Sequence, residues 1–206
     1  MGGRAVGGAG PGGLGGRDSS YKGKIENVES LVKMKDPEMY KATKDAIARY
    51  VAVIGGLPER NIKLADMSKS VYGVQQTNAL TGKSVSIYLN KKYFNKTAAE
   101  MKAQELKDYK SGWSTKTNKP LAHTVTHELA HATWNTHLKG ANQVAATAAI
   151  KKVYSAWVKS SKKSGYGKYA STNVNEWWAE TVTKAVHGTP DRYTKSVKGI
   201  IKKYKL

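Results

Sequence analysis

The chain has no cysteine, so disulfides and thiolate ligands are excluded and any bound metal must rest on His, Asp or Glu. It has one Phe against twelve Tyr and five Trp, which predicts a core built largely from aromatics that carry a polar tip. No stretch approaches the ~18 consecutive apolar residues of a membrane-crossing helix. No apolar segment of the kind that directs export follows Met1, so an intracellular setting is expected. Val6 stands where a myristoylation signal needs Ser or Thr. Acidic residues are scarce: 15 Asp and Glu against 35 Lys and Arg give a net charge of +20. Such a field favours anionic partners, nucleic acid or another polyanion among them. Lys far outnumbers Arg, and no helix-turn-helix, zinc-finger or RNA-recognition signature is present, so base-specific reading is not expected.

What is present begins with glycine. Residues 1–17 are mostly Gly without periodicity and read as a flexible tail or linker. Residues 18–206 are long enough for one domain with its own core. Asp36-Pro37-Glu38 starts a helix with a stripe through Met39, Ala46, Ile47, Tyr50 and Ile54, stopped at Gly55-Gly56. Residues 61–66 and 71–77 read as short strands. Ser84–Asn90 alternates, with Val85, Ile87 and Leu89 on one face. Thr97 and Glu100 form a capping box that opens a helix to about Lys110. Helices are expected from Pro120 to about Leu138 (stopped by Gly140), from Asn142 to about Lys163, and from Asn173 to His187. A basic amphipathic helix closes the chain.

The chemistry is concentrated in His127-Glu128-Leu129-Ala130-His131. Two His four residues apart stand one turn apart on one helix face, about 6 Å along the axis, where both can reach a Zn²⁺ ion. Glu128, beside the first His, is placed to take a proton from water. His123, a turn earlier on the same face, reads as a structural or cleft-wall residue. A catalytic zinc has three protein ligands and an open position, and downstream of Glu128 the candidates are few: Glu176, Glu180, Asp191, His137 and His187. His137 has the spacing of a metzincin third ligand, but Trp134 occupies the position where Gly must end the helix. On a continuing helix, six residues is a rotation of about 600°, away from the metal. Glu176 and Glu180, four apart in Asn175-Glu176-Trp177-Trp178-Ala179-Glu180, share a helix face; one can ligate while the other supports a ligand imidazole. The plainer alternative makes Glu176 the N3 residue of a capping box on Asn173 and Glu180 a surface residue.

Together, H127-E-L-A-H131 and Y169-A-S-T-N-V-N-E176-W-W-A-E180 resemble the gluzincin domain of anthrax lethal factor and its relatives, among them peptidase-like domains of tailed-phage minor head proteins. The resemblance spans roughly residues 84–188. It implies an α+β, zincin-like fold in which a small, mostly antiparallel sheet packs on the motif helix and a helical subdomain carries the third ligand. It implies one catalytic Zn²⁺ on His127, His131 and Glu176, with Glu180 in support, Glu128 as general base and Tyr169 as the oxyanion donor. The substrate would be a peptide or protein, lying along Ser86, Ile87 and Tyr88 as an edge strand. The alternative function is a basic, nucleic-acid-associated virion structural protein that keeps the fold; if phage-encoded, the chain would be virion-associated.

Overall fold

The computed structural model describes residues 34–58, 61–137, 141–160 and 165–206. The expected Gly-rich tail lies outside these residues, as do the helix ends expected at Leu138–Gly140 and near Lys163. The described chain is mixed α+β, with seven α-helices and one three-stranded sheet. Among its residues no helix is long and apolar enough to cross a membrane.

Helix α1, Pro37–Ile54, starts where Asp36 accepts a hydrogen bond from the Met39 amide at 2.8 Å, and stops at Gly55, whose φ of 96° only glycine adopts freely. Its buried stripe is Met39, Thr43, Ala46, Ile47, Tyr50 and Ile54. Strands β1 (Ile62–Ala65), β2 (Gly73–Thr77) and β3 (Ser84–Asn90) follow, the first two shorter than their sequence segments. The short helix α2, Lys91–Phe94, leads to α3, Ala98–Lys110, where the capping box of Thr97 and Glu100 is formed in both directions.

The sheet order is β1-β3-β2, which corrects two expectations. The sheet is mixed, not mostly antiparallel: β1 runs parallel to β3, whereas β2 pairs with it as an antiparallel hairpin. The cause is the segment between β1 and β2, which wraps the end of β3. Asn90 anchors it by donating from Nδ2 to the carbonyls of Ser68 (3.0 Å) and Val71 (2.6 Å). Secondly, Ser86, Ile87 and Tyr88 are in the central strand and not at an edge. Ile87 and Tyr88 are paired on both sides and Ser86 with Gln76 of β2, so the middle of β3 offers no edge to a substrate. The edge strand beside the motif helix is β2.

Residues Pro120–Ala122 form a single 3₁₀ turn that delivers the chain into α4, His123–His137. Helix α5, Ala141–Val158, precedes a 3₁₀ turn at Lys168–Ser171, then α6, Val174–His187, and α7, Arg192–Tyr204. Helix α6 is buried on every side from Glu176 to His187, the pattern of a helix at the centre of a domain. It packs along α4, where Trp178 Nε1 donates to the Ala130 carbonyl at 2.9 Å, and Tyr50 from α1 donates to the Leu129 carbonyl at 3.1 Å. One hydrophobic core runs from α1 through β3 and α4 to α6 and α7, so the last helices complete the same core that the sheet begins.

Two glycines give opposite expectations. A Cβ on Gly167 would sit 2.1 Å from the Trp113 carbonyl oxygen, where backbone must move; Gly167→Ala is expected to cost about 1–3 kcal/mol in urea unfolding. Gly199, exposed on α7 with nothing within 4 Å of its Cβ position, is expected to gain up to about 1 kcal/mol as Ala.

Candidate metal centre

Helix α4 sets His127 and His131 on one face with their Nε2 atoms 3.0 Å apart. Helix α6 brings Glu176 against them: its Oε2 lies 3.1 Å from His127 Nε2 and 3.2 Å from His131 Nε2. The two sequence readings of Glu176 are separated by where its carboxylate goes. Asn173 does cap α6, accepting from the amides of Asn175 and Glu176 at 2.9 and 3.0 Å. The Glu176 side chain does not return the favour; it is fully buried and turned to the imidazoles.

Glu180, one turn on, is also buried. Its Oε1 accepts from His127 Nδ1 at 2.9 Å and from His123 Nε2 at 3.1 Å, and its Oε2 accepts from the Thr115 amide at 2.8 Å. This settles the tautomer expected of a neutral His127: the proton is on Nδ1, and Nε2 presents a lone pair. That lone pair meets a second imidazole nitrogen and a carboxylate oxygen within 3.2 Å. Three electron-pair donors this close require a cation or shared protons between them. Tetrahedral donors on a zinc at 2.0–2.1 Å would be about 3.4 Å apart, so the observed triangle needs little adjustment to fit one.

Among the described residues two groups of side chains could therefore hold a metal ion, His127 with His131 and Glu176, and His123 with His127 and Glu180. They share His127 through different nitrogens. The second group is already satisfied by hydrogen bonds, since both Glu180 oxygens accept and His123 Nδ1 faces the Tyr109 hydroxyl at 3.3 Å. In the first group burial would lower the pKa of His127, but the hydrogen bonds and charges of Glu176 and Glu180 outweigh it and hold it well above the ordinary value. Burial opposes ionisation of Glu176 as well, and His131 and His127 overcome it, holding the carboxyl far below its usual range.

Glu128 is buried beside this triangle, pressed by β2. A Cβ on Gly73 would lie 3.0 Å from Glu128 Cγ and 3.0 Å from Thr124 Cγ2, so a side chain there would have to push both aside by a few tenths of an ångström. A backbone hydrogen bond from Gln75 reaches the Glu128 carboxylate; burial raises its pKa, with His127 and His131 pulling the other way. Tyr169, on the 3₁₀ turn after Gly167, stacks between Trp113 and His127 with both ring centroids at 5.7 Å. Burial first, and then the charges of Glu176 and Glu128, push its hydroxyl far up, so it stays a phenol and a donor.

The structure thus brings together His127, Glu128, His131, Tyr169, Glu176 and Glu180. His123, read from the sequence as a structural or cleft-wall residue, is buried, donates to Glu180 and lines a small cavity beside Glu128. His137 belongs to neither metal-capable group. His187 bonds through Nε2 to Thr126 Oγ1 at 2.9 Å, and burial together with the charges of Arg49, His123 and Lys119 lowers its pKa to about 4. Sequence reasoning passed over Glu105 and Asp108. Both lie on the buried stripe of α3 with Ala98 and Met101, and acids at core-facing helical positions were the available signal. Asp108 accepts from Tyr72 at 2.7 Å, and Glu105 accepts from Thr124 Oγ1 at 3.1 Å. A cavity of about 20 Å³, room for one water, lies between Tyr72, Glu105, Ser114 and Thr124 on one side and His123, His127, Glu128 and Glu180 on the other. The chain matches no protein-family model, no curated protein and no solved structure.

Burial raises the Glu105 pKa from 4.5 to about 7. A carboxyl raised on folding favours the folded state while protonated, and that advantage is lost as pH climbs from the unfolded value through the folded one. The stability of Glu105→Gln relative to the parent is therefore expected to improve by about 2–3 kcal/mol between pH 5 and pH 8. Urea unfolding at the two pH values measures this; a difference that does not change with pH contradicts it.

Proposed function

We propose that the protein is a zinc-dependent metallopeptidase of gluzincin type. The observation that carries this reading is the convergence of His127 Nε2, His131 Nε2 and Glu176 Oε2 within 3.0–3.2 Å, with a buried Glu128 next in sequence to the first of them. His127, His131 and Glu176 would hold the ion, which when bound supplies Lewis acidity to a water and to a substrate carbonyl.

The remaining work falls to the chain's own groups. Glu128 takes the water's proton and passes it to the leaving amine, a task suited to a carboxyl whose pKa burial raises above its ordinary value. Tyr169 is a permanent donor beside Glu176 and stabilises the oxyanion as the carbonyl becomes tetrahedral. Glu180 fixes the orientation and tautomer of His127 from behind. The β2 edge, which already reaches Glu128 through the Gln75 backbone, can pair with an extended peptide and favours a polypeptide over other hydrolysable substrates.

Metal analysis after zinc reconstitution is expected to find about one equivalent. Glu128→Gln should keep that metal and lose cleavage by about 10²–10⁴, whereas Glu180→Gln should weaken metal affinity by about 10–100-fold. Tyr169→Phe should lower kcat by about 10²–10³ without changing metal content. Full cleavage activity in Glu128→Gln contradicts the mechanism, and failure to retain zinc in the parent protein contradicts the site.

A further inference from the structure

The net charge of +20 is not spread evenly. Among the described residues the exposed carboxylates are Glu38, Asp45, Asp66 and Glu100, all in the first half of the chain. Beyond residue 110 the carboxylates are Glu128, Glu176 and Glu180, all buried, and Asp191. Asp191 is committed too, capping α7 and receiving Lys184 Nζ at 2.8 Å. The surface of the C-terminal helices therefore has no carboxylate left to neutralise its lysines.

Those lysines are patterned. From Arg192 to Lys205 the exposed positions are six cations, one Ser and one Gly. Lys195, Lys198 and Lys202 recur at three and four residues, which places them within about 60° of one helix face and along about 10 Å of its length, and Lys205 follows as the C-cap. Helix α5, packed beside α7 in the same core, adds exposed Lys151 and Lys152. A lysine row of this kind is costly to leave unpartnered at low salt, because like charges one turn apart repel.

We infer that the outer face of α7 is a binding surface for the phosphodiester backbone of double-stranded nucleic acid. The occupant follows from what the face lacks. The apolar side of α7, Val197, Ile200 and Ile201, is buried in the protein core, so no apolar wedge is left to enter a lipid surface, as an interfacial helix requires. Its aromatic rings offer no platform for unstacked bases: Tyr193 is buried, Arg192 covers it at 4.6 Å, and Lys203 lies over Tyr204 at 5.1 Å. Lysine provides point charges without the planar fork that reads base edges. What the row can grip is a line of closely spaced phosphates in any sequence. This surface is independent of the proposed peptidase site, and the face holds whether or not that reading does.

The test is fluorescence anisotropy with a labelled duplex of about 20 base pairs and mixed sequence, from about 50 to 200 mM salt. The variants are the triple Lys195→Gln, Lys198→Gln, Lys202→Gln on α7 and, as control, Lys102→Gln, Lys107→Gln, Lys110→Gln on α3, where all three are also exposed. The parent is expected to show log K falling steeply with log salt. The α7 triple should flatten that slope by about 2.7, at ~0.9 per lost phosphate contact, while the α3 triple leaves it near the parent value. Far-ultraviolet circular dichroism and zinc content should be the same in all three proteins. The inference is overturned if the α7 triple keeps the parent slope, or if the α3 triple loses as much. It is equally overturned if a single strand of the same length binds more tightly than the duplex, or if vesicles of phosphatidylserine are bound while the duplex is not.

Discussion

The hydrogen bond from His127 Nδ1 to Glu180, 2.9 Å long and out of contact with water, is the interaction on which the centre of this protein depends. It joins the two helices that share the longest interface, α4 and α6. It also decides which nitrogen of His127 carries the proton and so what that residue shows to His131 and Glu176. A buried carboxylate is tolerated only when its lone pairs are met, and Glu180 meets the condition with two imidazoles and the Thr115 amide. Removing any one of these partners leaves charge in a dry interior, which holds the helix that carries Glu180 in position.

From that constraint the rest of the arrangement follows outward. The Thr115 amide ties the loop after α3 to α6. The same loop holds Tyr169 through the bond from the Tyr169 amide to the Trp113 carbonyl at 3.0 Å. The close approach at Gly167, whose amide donates to Thr115 Oγ1 at 3.2 Å, is what allows those two segments to lie together. On the opposite side, Gly73 lets β2 approach α4, so the base candidate Glu128 is held between a strand edge and a helix. The same economy of acidic residues divides the molecule electrically: the second half uses its carboxylates internally, and the exposed lysines of α7 have no acidic residue on their own helix face.

Much of this was legible in the sequence, and the reasons are specific. Caps and stripes are local, so α1, α3 and α6 could be placed from Asp36, Thr97 and Asn173, and α7 was legible as a basic amphipathic helix at the end of the sequence. Glu176 and Glu180 stood out because the region holds so few acids, and an acid with no surface partners must have an inner purpose. Strand order was not legible, because pairing β1 in parallel with β3 is a long-range outcome of the loop that wraps Asn90. The alternation of Ser84–Asn90 correctly marked a strand but concealed that both of its edges are occupied; full burial of Ser86 and Asn90 reflects that. Glu105 and Asp108 were in view on the stripe of α3, yet a helix with good caps and many charges reads as a surface helix until its neighbours are known. Tyr169 was one of twelve tyrosines, and only the resemblance to gluzincins singled it out before the structure placed its ring on His127.

X-ray absorption at the zinc edge of the reconstituted protein tests the central claim most directly. The account predicts one ion with two imidazole nitrogens and a carboxylate oxygen at about 2.0–2.1 Å, and loss of one imidazole contribution in His131→Ala. A spectrum with no imidazole scattering, or one that is unchanged in His131→Ala, would contradict it.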